Sequence, residues 1–267
     1  MDNFWTIFLV FTVYSFIGWF TESIFCSIPA GKFINRGFLN GPFCPIYGVG
    51  GVVIAFALTP FQHNLITLYV AGVLITSTIE YVTGLGLEFV FHTTYWDYSD
   101  QKFNFQGRVC LQNSLLFGVM CVVGMQFVHP TLMRFLHSIP ALILPLISAG
   151  FLIYFMCDTI VTVHAIMRLN GKLAEMQQVL DEIKERASAA TTEKIESLQT
   201  AFVNLFDDDT KARLNLLFEK KDKIETENML LPRRIIKAFP TMKSIKNNES
   251  LQRMKLTILN KAKGIKR

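Results

Sequence analysis

The sequence predicts an all-α membrane bundle of about five spans, followed by a charged helical tail. Three observations carry this. Of 267 residues, 51% are hydrophobic and only 18% charged, a balance that excludes disorder and sits poorly with a soluble enzyme. Residues 1–166 hold just five bases (Lys32, Arg36, Lys102, Arg108, Arg134) and seven acids, leaving 21 of the 26 bases to the remainder. Third, apolar runs follow one another in that first part: Phe4–Phe25, Cys44–Pro60, Leu65–Phe91, Leu111–Leu132 and Ile139–Ile166. Roughly 20 apolar residues cross the hydrocarbon layer.

The first run has no base before it, is long, and lacks a small-x-small cleavage site, so it reads as a retained span. The second is the shortest and carries Gly48, Gly50 and Gly51. Lys32 and Arg36 follow span one, and Lys102 and Arg108 follow span three. The intervening loops hold Arg134 alone. The positive-inside rule then predicts an external N-terminus and a cytoplasmic tail, as an odd number of spans requires. The expected division is a bundle over 1–166, a helical segment over 167–232 and a basic tail over 233–267. Trp5 and Trp96 fit interfacial anchors.

Ionisable groups inside spans are costly, about 3 kcal/mol at the bilayer centre on insertion scales. Glu22, Glu80, Glu88 and Asp158 are therefore candidates for facing the bundle or a wet cavity. Glu80, Gly84, Glu88 and His92 recur every four residues on one helix face. They read either as an acidic stripe for protons, cations or a cationic head group, or as an interfacial residue beside a helix-to-helix hydrogen-bonding group. Asp158 also reads as a local partner of Thr159, Thr162 or His164.

The two inner loops resemble each other. Glu22 is followed by Lys32-Phe33 and Asn35-Arg36-Gly37, and Glu88 by Lys102-Phe103, Asn104 and Gly107-Arg108. Tyr47-Gly48 and Phe117-Gly118 then follow in turn. This predicts a parallel two-span repeat with two Glu/Arg sets, although shared membrane composition is an alternative source of the match. The candidate binding residues are Glu22, Arg36, Glu80, Glu88, Trp96, Asp97, Asn104, Arg108 and Asp158. Arg36 and Arg108 also read as topology determinants.

From Leu169 the apolar residues Leu173, Met176, Leu180, Ile183, Ala187 and Ala190 repeat in steps of four and three, a coiled-coil seam. Ile195, Leu198, Phe202 and Leu205 continue it after a phase shift. Asp207–Asp209 reads as a further helix start. Pairing between chains through Leu169–Ala190 is favoured over a folded-back hairpin. Arg233–Arg267 has eleven bases against Glu249, with Leu251, Met254, Ile258 and Leu259 on an apolar face. It reads as a basic amphipathic helix on anionic inner-leaflet lipid, with a solvated tail as the alternative and no nucleic acid expected.

The five cysteines form no Cys-x-x-Cys pair and read as structural thiols. No P-loop, His-Glu-x-x-His, nucleophile elbow or kinase signature occurs, and no cofactor or metal is implied. The chain therefore has no ATPase of its own. The motifs Ser15-Phe16-Ile17-Gly18-Trp19 with Glu22, Gly31-Lys32-Phe33-Ile34-Asn35-Arg36-Gly37-Phe38-Leu39-Asn40-Gly41-Pro42, and Pro45-Ile46-Tyr47-Gly48 are distinctive. So are Glu80, Glu88, Trp96-Asp97-Tyr98-Ser99, Phe103-Asn104 and Gly107-Arg108-Val109-Cys110-Leu111. Together, over about residues 4–135, they resemble the bacterial type IV ABC-transporter membrane family. The resemblance implies a permease-type component served by a separate ATPase. The function expected is permease-like, for a small solute, ion or lipid. A membrane enzyme acting on lipid or polyprenyl head groups, or a non-catalytic scaffold, are the alternatives.

Overall fold

A computed structural model describes residues 3–187, 208–226 and 230–262. Its first part is a bundle of helices running alternately along one axis. Helix α1 (Phe4–Ala30) starts at Asn3, whose Oδ1 accepts from the Thr6 amide at 2.8 Å, and ends at Gly31 in the left-handed conformation. Helix α2 (Pro45–Leu58) runs back and ends in a 3-10 turn, Thr59–Phe61. Helix α3 (Leu65–Phe91) is capped by Asn64. Helix α4 (Leu111–Val123) continues through a π turn, Gly124–Val128, into α5 (His129–Ser138). Pro130 lacks an amide and crowds the carbonyl four residues back, which accounts for the wide turn before it. Helix α6 (Ile143–Ala187) is 45 residues long, about 67 Å.

Four segments have the length and apolarity of membrane spans: Phe4–Ile28, Leu65–Phe91, Leu111–Ser138 and Ile143–Glu185. The expected second span is shorter than a full crossing. Its 14 α-helical residues and 3-residue turn reach about 27 Å against a ~30 Å hydrocarbon layer. The cause is where α2 begins. The Cys44 amide donates to the Ser15 carbonyl at 2.9 Å, so α2 starts beside the middle of α1. The second hairpin does the same: Ser77 donates to Ser114 at 2.8 Å, placing the start of α4 beside the middle of α3. In both hairpins the connecting loop therefore folds back into the bundle.

Small residues make the two hairpins tight. A Cβ on Gly48 would lie 2.1 Å from Ser15 Oγ, and one on Gly118 would lie 2.4 Å from Val73 Cγ2. Close backbone approach of this kind is how helices associate where lipid is the solvent. Outward positions such as Ile66, Phe89, Leu146 and Ile160 are apolar and exposed, as lipid contact requires. At one end of the bundle Ser148 Oγ donates to the Trp5 carbonyl, and at the other Asn170 Nδ2 donates to the Phe91 carbonyl. The chain's start and its tail thus lie at opposite ends.

Beyond the bundle, α6 carries helices α7 (Asp208–Thr226), α8 (Leu230–Ala238) and α9 (Asn248–Ala262). The seam residues Leu169, Leu173, Met176, Leu180 and Ile183 are buried, packed with Leu217, Ile224, Ile235 and Met254 of the same chain. This corrects the expected pairing between chains. The seam's periodicity is satisfied by folding back, because α7–α9 supply the apolar partner face. The helix also runs unbroken through Gly171. Ala190, Ile195, Leu198, Phe202 and Leu205, and the expected start at Asp207, lie outside the described residues.

The basic tail is corrected as well. Leu251, Met254 and Ile258 are 0%, 2% and 7% exposed, so the apolar face of α9 turns into the protein rather than onto lipid. The same core joins residues on both sides of the division expected near residue 232. A two-residue strand, β4 (Lys243–Ser244), pairs antiparallel with β1 (Thr93–Thr94), with Thr93 opposite Ser244. A second small hairpin, β2 (Asn104–Phe105) and β3 (Val109–Cys110), turns at Gln106 and Gly107. Both have positive φ, as primed hairpin turns demand.

Candidate functional site

The connecting loop of each hairpin is held by one Glu–Arg pair. In the first, Arg36 Nε donates to Glu22 Oε1 at 3.2 Å, with Nη2 3.1 Å from the same oxygen. Trp19 Nε1 donates to Asn35 Oδ1 at 2.8 Å, and Ser23 Oγ accepts from the Arg36 amide. In the second, Arg108 Nη2 meets Glu88 Oε2, and Thr94 donates to the other carboxylate oxygen at 3.3 Å. Trp96 Nε1 donates to the Arg108 carbonyl at 2.9 Å. The two sets expected from the loop likeness are thus both present, one in each hairpin.

Asp158 fixes the first loop to α6. Its Oδ1 accepts from the Asn40 amide at 2.9 Å and from Asn40 Nδ2 at 3.0 Å, and its Oδ2 from the Gly41 amide at 2.8 Å. Tyr154 and Thr162 hydroxyls donate to it at 3.2 Å each. A Cβ on Gly41 would overlap the Tyr154 hydroxyl, so glycine there permits the bond. Five donors leave Asp158 with a positioning task.

Between the hairpins lies a cavity of about 770 Å³. Glu22, Arg36, Glu80 and Trp96 line it, together with Tyr47, Tyr98 and Phe117. Its remaining wall is mostly aliphatic, from Ile17, Val49, Ile79, Val119 and Met120. Glu80 is 7% exposed, and its Oε2 has no hydrogen-bond partner. The Tyr98 hydroxyl faces Glu80 and Asn113, and burial with that neighbouring carboxylate pushes the phenol up. Tyr47 and Phe117 meet edge-on across the two hairpins, ring centroids 6.4 Å apart.

The C-terminal segment closes this cavity's loop end. Arg36 donates to the Ala238 carbonyl and lies over the Phe239 ring, 5.1 Å from its centroid. Phe239 lines the cavity and stacks edge-on with Tyr95 at 5.2 Å. Arg234 donates to the Gly37 and Phe38 carbonyls at 2.9 and 3.0 Å. On the other loop, Ile245 donates its amide to the His92 carbonyl, and Lys243 pairs with Asp97. Lys243 above all, with two bonds from Ser99, holds the Asp97 carboxyl down at about 2.

The sequence model of a family described as Putative ABC-transporter type IV matches residues 9–163. The chain belongs to the type IV ABC-transporter family. The match covers more than half the chain and contains both hairpins, their loops and Asp158. It stops before α7–α9. No curated protein and no solved structure matches significantly. Family and helices together make this a transporter-related membrane protein.

Within this type IV chain the nine expected site residues separate into two groups. Glu22, Arg36, Glu80 and Trp96 meet at the cavity. Glu88 and Arg108 are paired with each other behind Trp96, outside its wall. Asp97 binds Ser99 and Lys243, and Asn104 folds its own hairpin through the Ser99 and Gln101 carbonyls and the Gly107 amide. The acidic stripe on α3 is therefore divided. Glu80 belongs to the cavity, Glu88 to an ion pair, and His92 ends the helix at φ 50°. Phe239 and Arg234 carry no sequence signal for their places, since each acts on a loop some 200 residues earlier. Among the described residues no cluster of three metal-ligating side chains occurs.

Proposed function

We propose that this protein is a permease-like membrane component whose substrate passes through the cavity between the two hairpins. One observation carries the reading. Glu80 is a buried carboxylate bordering an intramembrane cavity, with an oxygen that has no protein partner. An unpartnered buried polar group is expensive, and in a membrane it marks function by default. The orientation follows the distribution of bases: N-terminus outside, α7–α9 in the cytoplasm of a bacterial cell. Energy for directional transport comes from a separate ATPase subunit. Among the described residues, Lys237 and Lys246 are exposed bases of the tail that attract anionic inner-leaflet lipid.

An enzyme acting on head groups would need Arg36 and Arg108 at one site. They occupy separate ion pairs, and only Arg36 borders the cavity. The permease reading is tested by reconstituting the full chain in liposomes and following release of trapped solutes and transbilayer movement of fluorescent lipids. Movement above protein-free vesicles, lost in Glu80→Gln at equal insertion, supports it. Movement equal in both proteins removes the cavity from the pathway.

A further inference from the structure

The cavity's charges are unbalanced in one direction. Arg36 is neutralised by Glu22 at 3.1 Å, and its remaining faces are taken by the Ala238 carbonyl and the Phe239 ring. Glu80 has no basic side chain in ion-pair contact among the described residues, and its Oε2 accepts nothing. A carboxylate in that position is matched by a cation with hydrogen-bond donors, and an ammonium supplies three. Tyr47, Trp96 and Tyr98 line the same cavity, and the Tyr98 hydroxyl faces Glu80. Aromatic faces attract ammonium groups and tolerate the carbon chain attached to them.

The remainder of the cavity suits that chain. Val49, Val119 and Met120 line it and are 48%, 50% and 39% exposed. Other side chains therefore leave this α2 and α4 wall partly uncovered. A Cβ on Gly50 or on Gly124, which line this side, would meet no atom within 4 Å. The volume lies in the range of sites that bury a small organic ligand.

We infer that the cavity binds an amphiphile carrying a protonated amine, with the ammonium at Glu80 and the apolar chain reaching out between α2 and α4. This rests on reading the cavity as the functional site, but it does not depend on transport. Two sources share the chemistry: a membrane phospholipid with an ethanolamine head group, and a single-chain alkylamine arriving from solution.

The test is native mass spectrometry of the purified full chain in a neutral sterol-based detergent. Phosphatidylethanolamine is compared with phosphatidylglycerol of the same acyl chains, and dodecylamine with dodecanoate. Retention of either amine over its anionic counterpart is expected, and which amine is retained identifies the source. Glu80→Gln should weaken amine retention on the order of tenfold or more, the loss of a charge-assisted bond. Gly50→Leu, which fills the open side without touching the carboxylate, should weaken it as well. Asp100→Asn, on the exposed second loop, should leave it unchanged. Equal retention of amine and anion, or insensitivity to both Glu80→Gln and Gly50→Leu, overturns the inference. Amine binding without any flux in liposomes would keep this site and remove the permease reading. Flux of another solute without amine binding would do the reverse.

Discussion

Phe239 sits beneath Arg36, with the guanidinium carbon 5.1 Å from the ring centroid, and the pair closes the loop end of the cavity. Arg36 at the same time donates to the Ala238 carbonyl and bonds Glu22. The chain's own C-terminal segment therefore blocks the approach to Glu22, Arg36 and Glu80 from that end. Arg234 on the first loop and Lys243 on the second hold the segment across both hairpins.

Removing the Phe239 ring should unblock that end. Cys44 lines the cavity and is only 3% exposed, so it serves as an internal reporter. Peptide-resolved mass spectrometry of maleimide labelling should find Cys44 reacting several-fold faster in Phe239→Ala than in the wild type. Cys157, exposed on the outer face, should keep its rate. An unchanged Cys44 rate would mean that the ring does not limit access.

The sequence disclosed interactions that are local to one hairpin and hid those that span the chain. Glu22–Arg36 and Glu88–Arg108 are 14 and 20 residues apart, and the repeated loop pattern exposed both. Glu80 stood out because a carboxylate in an apolar run has few structural excuses. Asp158 looked equally suggestive. Its local partner Thr162 was legible, but the backbone amides 117 and 118 residues earlier were not, because backbone donors leave no trace in composition. The seam on α6 was legible as a seam, but a three-four repeat is the same whether the partner helix belongs to another chain or to this one. The apolar face of α9 was visible for the same reason, and its burial was not.

Asp158 positions the first loop, and its loss should be felt as stability. Asp158→Asn keeps the shape but turns one oxygen into a donor, facing either the Gly41 amide or the Asn40 amide and Thr162. Each buried donor left unsatisfied costs about 1–3 kcal/mol. The melting temperature in detergent should fall by several degrees, with Cys44 labelling accelerated by the loosened loop. An unchanged melt would show that the loop is held by other contacts.

Glycines at contact and glycines at open space should respond oppositely. A Cβ on Gly48 meets Ser15 Oγ at 2.1 Å and the Phe11 carbonyl at 2.6 Å, and the backbone oxygen cannot move aside. Gly48→Ala should force α1 and α2 apart and destabilise the first hairpin by about 1–3 kcal/mol. Gly171 is mid-helix in α6 with nothing within 4 Å. Gly171→Ala should stabilise by about 0.5–1 kcal/mol through helix propensity alone. Thermal melts of the two variants should shift in opposite directions, and a shared direction would contradict the close packing at Gly48.

Docking of the C-terminal segment should be insensitive to pH near neutrality and fail in acid. The Asp97 carboxyl is held at about 2 by Lys243 and Ser99, below the ~3.9 of an unfolded chain. A group depressed on folding contributes fully above its unfolded value, and that contribution disappears as pH falls through the folded one. Glu249 is depressed too, chiefly by Lys184, so it adds to the same acid-side loss. Protection of the Ile245 amide, which bonds the His92 carbonyl, reads the docking directly. Its hydrogen exchange, corrected for intrinsic rates, should be constant from about pH 5 to 8 and lose protection between about 4 and 2. Lys243→Met should lower protection at neutral pH and shrink the acid step, leaving the part due to Glu249. Glu249→Gln should remove that part instead. A step above about pH 5, or one unaltered by both variants, would show that neither Asp97 nor Glu249 governs the docking.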